Sequence, residues 1–132
     1  MRTIGEAATQ TDLPVKTVRY YAEIGLIAPS ARAANGYRLY DENEIAQLVF
    51  VRRARTLGFS IEDCRELLAL YSDQDRASAD VKRLAQQHLK VLSDKVRELL
   101  ALRDELQNLV EACDGDSRPS CPILSTLAGT KS

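Results

Sequence analysis

Large aromatic side chains are scarce in this sequence: 132 residues contain no tryptophan, two phenylalanines and five tyrosines. A core at this chain length must therefore rest on aliphatic packing, and a thin helical core is readily thickened by association with a second copy. There is one histidine, no glycine-rich phosphate loop and no Ser/His/Asp set, so the common enzyme constellations are missing. No run approaches the ~18 consecutive apolar residues of a membrane span, and the start MRTIGEAATQ lacks the apolar stretch of a signal peptide. The expected compartment is the cytoplasm, where thiols stay reduced. Three cysteines are then ligands, sensors or core fillers sooner than a disulfide framework.

Charge of either sign is not in excess, since the net charge is −1. Its distribution is uneven: residues 1–60 carry eight Lys/Arg against six acids, and residues 61–132 carry −3. That is a weak signature of a nucleic-acid partner taken alone. Where the bases fall along the chain says more.

Thr3-Ile4-Gly5-Glu6 reads as a capping box opening a short helix through about Thr9. After the polar break Gln10-Thr11-Asp12, Pro14 suits a first helical turn, and a second helix runs to about Glu23, with Val15 and Val18 facing inward. Of the neighbours Tyr20 and Tyr21, about 100° apart on a helix, one belongs to the core and the other to the surface. The pair forms a helix-turn-helix whose second helix bears bases and aromatics. Gly25 closes it. Asn35-Gly36, flanked by Arg32 and by Tyr37-Arg38-Leu39-Tyr40, predicts a small wing with a two-residue hairpin turn.

Asp41-Glu42-Asn43-Glu44 starts a third helix reaching Gly58, and Ser60 caps a fourth ending near Tyr71, a second pair in the same format. Cys64 on that fourth helix has no cysteine or histidine near it in sequence and reads as a buried or semi-exposed filler. Residues 1–72 thus form a winged helix-turn-helix region with a second helix pair, and residues 73–78 a polar linker. Ser78 can N-cap a helix over residues 79–112, about 50 Å long at 1.5 Å per residue. Its stripe Leu89, Leu92, Val96, Leu99, Leu106, Val110, Cys113 alternates spacings of three and four, with Arg103 as the one polar member. This predicts a dimerisation helix paired with its own copy, as an antiparallel coiled coil if two head regions are held apart. His88 on the same helix reads as an interface or surface residue.

Residues 113–132 hold the stretch CDGDSRPSCP, two cysteines around seven loop-forming residues. Disulfide, two buried thiols and metal site are all compatible with it. Cys121 followed by Pro122 looks like the N-cap of a short helix to about Leu127, a setting that lowers a thiol's pKa. The fold class is mainly α.

Val18-Arg19-Tyr20-Tyr21, Gly25-Leu26-Ile27, Asn35-Gly36-Tyr37-Arg38-Leu39-Tyr40 and Leu57-Gly58-Phe59-Ser60, in this order, resemble the MerR family of transcriptional regulators. Through Cys121-Pro122-Ile123 the chain resembles its copper-sensing CueR/HmrR branch. The resemblance implies a homodimer that binds double-stranded promoter DNA and represses when empty. With metal bound it distorts the promoter so that RNA polymerase engages both promoter elements, activating efflux or detoxification genes. By the family pattern, Lys16, Arg19, Tyr21, Arg32, Tyr37, Arg38 and Arg55 contact DNA.

Cys113 and Cys121 are then the metal ligands. Two thiolates suit one soft monovalent ion, Cu(I), Ag(I) or Au(I), better than zinc, which normally takes four N/S ligands. In divalent-ion sensors of the family a cysteine begins the dimer helix, and the matching position here is Ser78, a poor soft-metal ligand. Two thiolates with one monovalent ion leave a charge of −1, which the start of the partner's long helix near Ser78, with Lys82, can offset. The alternatives are a Zn/Cd/Pb sensor of the same family and a thiol–disulfide redox switch between Cys113 and Cys121. An iron–sulfur regulator would need four clustered cysteines, and a small-molecule regulator a larger ligand region after the long helix.

Overall fold

The computed structural model describes residues 1–129 and is mainly helical. Helix α1 (Ile4–Thr11) opens with the anticipated box: Glu6 N donates to Thr3 Oγ1 at 3.3 Å, and Thr3 N to Glu6 Oε1 at 3.0 Å. It ends at Asp12, whose φ of 58° is left-handed, a conformation that aspartate tolerates. Helix α2 (Val15–Glu23) follows, with Pro14 as its N-cap rather than its first helical residue. Gly25, at φ 71°, reverses the chain after it.

Val18 is fully buried, but Val15 is 38% exposed, so the inward face of α2 is narrower than predicted. Val15 occupies the first turn, where the helix has yet to enter the core. Val18 and Tyr21, three residues apart, form its buried stripe.

Strands β1 (Ala31–Arg32) and β2 (Arg38–Leu39) make the wing, antiparallel with Ala31 opposite Leu39 and Arg32 opposite Arg38. The turn departs from the two-residue form. Gly36 N donates to Ala33 O at 3.0 Å and Ala33 N to Tyr37 O at 2.7 Å, so three residues, Ala34 to Gly36, form the loop. Gly36 has φ 86°, whereas Asn35 is not left-handed; a type I turn closed by a left-handed glycine replaces the mirror-image turn, which needs positive φ at both centres. Arg2 N donates to Tyr40 O at 2.9 Å and Tyr40 N to Arg2 O at 2.7 Å, tying the chain start to the wing.

Helix α3 (Glu42–Thr56) has a second capping box, between Asp41 and Glu44, and α4 (Ile61–Ser72) is capped by Ser60. Val18, Tyr21, Ile27, Tyr40, Leu48, Val51, Phe59 and Cys64 form one core among these elements. Arg65 on α4 donates to Ile24 O at 3.2 Å and Gly25 O at 3.4 Å, satisfying carbonyls at the end of α2 that the helix itself leaves open.

Helix α5 runs Ser78–Ala112, with Ser78 as its first helical residue rather than its cap. The compact N-terminal unit extends through Leu84, which is buried, and a second unit spans Ala85 onward. In that second unit Leu89, Val96, Leu99, Leu106 and Val110 of α5 are each more than half exposed. The unit closes with α6 (Pro122–Leu127). Among the described residues no helix is long and apolar enough to cross a membrane.

Candidate functional site

Two sets of residues carry chemistry. The first is the thiol pair. Cys113 follows the end of α5, its amide donating to Val110 O at 3.2 Å, and Cys121 is the N-cap of α6 with Pro122 at the helix start. The loop between them doubles back so that their sulfurs lie 3.6 Å apart. Both are free thiols and half-buried. A disulfide bond is about 2.05 Å long, so they are neighbours without being bonded. The amide of Leu124 in the first turn of α6 draws the Cys121 thiol below its usual range, helped by Cys113. A thiolate, not a thiol, is the metal ligand and the nucleophile.

The donors fit a soft ion. Two sulfurs converge, and among the described residues no group of three or more Cys, His, Asp or Glu assembles there or elsewhere. The loop's carboxylates are otherwise engaged: Arg118 pairs with Asp114 at 3.0 Å and with Asp116 at 2.6 Å. Arg118 did not stand out in the sequence; the signal was its place two residues after Asp116 inside the cysteine bracket.

The second set is basic. Arg19 of α2 and Tyr37 and Arg38 of the wing line one cleft of about 420 Å³, together with Thr3, Ile4 and Glu23. Lys16 is exposed on α2, and Arg32 is exposed beside Arg38 on the wing. Like charges directly opposite on a ladder repel, so the Arg32–Arg38 pair is an arrangement suited to an anion lying outside it. Tyr37 is 70% exposed.

Two of the predicted residues behave differently. Tyr21, expected at the duplex, is the buried member of the tyrosine pair at 5% exposure, and Tyr20 is the open one at 48%. Their rings lie 6.1 Å apart. Burial pushes the Tyr21 hydroxyl above its usual range, opposed by Arg55 beside it. Arg55 is exposed, yet it also donates to Phe59 O at 2.7 Å, bracing the turn after α3. Cys64 is fully buried, in agreement with a filler role, and burial raises its thiol's pKa. Ser78 and Lys82 lie in the first turns of α5, Lys82 exposed.

Comparisons with known proteins agree with this layout. Residues 2–71 match the family described as MerR HTH family regulatory protein, and residues 45–109 match MerR, DNA binding. The chain is 54% identical to the HTH-type transcriptional regulator HmrR of Rhizobium leguminosarum bv. viciae, covering 95% of this chain and 96% of that one. It is 40% identical to the HTH-type transcriptional regulator CueR of Salmonella typhimurium, covering 96% and 91%. Among solved structures, the transcription regulator PbrR691 from Ralstonia metallidurans, in complex with lead(II), superposes with a TM-score of 0.83 at 35% identity, covering 96% of this chain and 99% of that one. By these matches the chain belongs to the MerR family and is a metal-responsive, DNA-binding transcriptional regulator, not an enzyme.

Proposed function

We propose that the protein binds promoter DNA as a homodimer in the cytoplasm and activates genes for efflux or detoxification when Cys113 and Cys121 hold one monovalent ion, Cu(I) or its congeners Ag(I) and Au(I). The observation that carries the metal assignment is a pair of free thiols 3.6 Å apart, with no third donor grouped with them among the described residues. Soft d10 monovalent ions accept two thiolates, whereas structural zinc takes four N/S ligands. Ser78, at the position where divalent sensors of the family place a cysteine, points the same way. The start of the partner's α5, with Lys82, offsets the net −1 of a dithiolate holding a monovalent ion.

Arg19, Arg38 and Tyr37, brought into one cleft, meet the duplex with Lys16, Arg32 and Arg55. Tyr21 supports the same face from within the core, and Tyr20 presents the exposed ring. Most such contacts reach phosphates and position the protein. Metal then favours one of two dimer shapes, and the preferred shape distorts the promoter for RNA polymerase, a readout through DNA deformation.

A divalent-ion reading has one observation in its favour, the lead(II) complex of the relative at 35% identity. Transcription in vitro from the cognate promoter, with Cu(I), Ag(I), Zn(II), Pb(II) or peroxide at controlled free concentrations, separates the readings. Activation by Cu(I) and Ag(I) is expected. Activation by Zn(II) or Pb(II) but not Cu(I) sinks the monovalent assignment, and full activation by peroxide without metal establishes a redox switch.

A further inference from the structure

We propose that Arg118 sets the metal selectivity of the thiol pair by holding the loop's two carboxylates away from it; this rests on Cys113 and Cys121 being the metal ligands. The nine-residue span that closes the site contains two potential oxygen donors, Asp114 directly after Cys113 and Asp116. Either would turn a dithiolate into a mixed S/O site. Borderline divalent ions accept such mixed donors and require more than two of them, whereas soft monovalent ions prefer sulfur alone.

Both carboxylates converge on one guanidinium. Arg118 donates from Nη2 to Asp114 Oδ2 at 3.0 Å, and from Nε to Asp116 Oδ2 at 2.8 Å, with Nη2 also 2.6 Å from Asp116 Oδ2. Its backbone amide adds a bond to Asp116 Oδ1 at 2.9 Å. A planar fork serves two carboxylates at once, which a lysine point charge does less well. With both so engaged, no third donor groups with the two sulfurs among the described residues.

Charge acts in the same direction. Arg118 leaves the two carboxylates with a combined −1, and without it they carry −2 beside two thiolates, a field that rewards a doubly charged ion more than a singly charged one. The three side chains are 69%, 75% and 41% exposed, and isolated exposed pairs are weak. The effect on affinity is therefore modest, on the order of the tenfold changes at the low end of those seen when groups behind metal ligands are altered.

The test uses the full-length protein in chelator competition titrations with Zn(II) and with Cu(I), and the absorption spectrum of the Co(II) form. In Arg118→Gln, Zn(II) affinity is expected to rise by about tenfold while Cu(I) affinity rises less, and the Co(II) spectrum should shift toward higher coordination. Adding Asp114→Asn and Asp116→Asn should abolish the gain. Unchanged Zn(II) affinity in Arg118→Gln overturns the proposal, as does a gain that persists in the triple variant. Failure of the parent protein to bind Cu(I), or undiminished Cu(I) binding in Cys113→Ser, would instead refute the two-thiol site beneath it.

Discussion

Cys64 and Cys121 are one side chain in two settings. Cys64 is fully buried, and loss of solvent pushes its pKa up against the opposing influence of Arg55. Cys121 is half-buried at the start of α6, where the Leu124 amide favours the thiolate. Because Cys113 and Cys121 are reachable from solvent and Cys64 is not, a small alkylating reagent at neutral pH should modify Cys113 and Cys121 in the folded, metal-free protein and leave Cys64 intact until denaturant is added. Peptide mass mapping reads this directly, and labelling of Cys64 at a rate equal to the other two would contradict the core placement. That Cys64 lacks partners was legible in the sequence, whereas its complete burial, left open between buried and semi-exposed, was decided by the packing. The choice between Tyr20 and Tyr21 was not legible either, because helical spacing says only that adjacent residues diverge by about 100°; the packing of α2 against Val18 and its neighbours made Tyr21 the inner one.

At the level of elements, α2 and the wing act as a unit because the cleft draws Arg19 from one and Arg38 from the other. Arg19→Ala and Arg38→Ala should each weaken operator binding to a similar degree across sequences, and each should reduce the slope of log affinity against log salt by about 1 if one phosphate contact is lost. Fluorescence anisotropy over a salt series measures both quantities; unchanged slopes would place these arginines off the backbone. The helices themselves were legible because their caps are local. Thr3 with Glu6 and Asp41 with Glu44 form the boxes their spacing announces, since a side chain three residues from its amide partner needs no tertiary help. The wing's turn was less legible: Asn-Gly favours a mirror-image turn, but the three-residue loop with only Gly36 left-handed is equally compatible with those two letters, and the strand register Ala31 opposite Leu39 selects it.

For the whole molecule, the stripe on α5 is the dominant unsolved demand of the single chain. Leu89, Val96, Leu99 and Leu106 are 55–65% exposed, and fully burying a leucine or valine is worth about 1.5–3 kcal/mol. A second α5 covers such a stripe with matched spacing. Leu99→Asp combined with Val96→Asp should therefore shift the protein from dimer to monomer in sedimentation velocity and abolish high-affinity operator binding, while the N-terminal unit through Leu84 keeps its helical circular dichroism. A dimer that survives both charges would exclude this stripe as the interface.

What the sequence determined by itself follows from short-range chemistry: the capped helices, the basic residues around a wing, the apolar period of α5, and two cysteines bracketing a polar loop with a proline-started helix behind the second. Tertiary structure decided what depends on the chain folding back on itself. It buried Tyr21 in place of Tyr20, anchored Arg65 to the end of α2 across forty residues of sequence, and brought two sulfurs eight positions apart to 3.6 Å. The physical reason is the same in each case. Helix caps and periodicity are set by neighbours within one turn, whereas burial and contacts between distant segments depend on which surfaces compete for the same space.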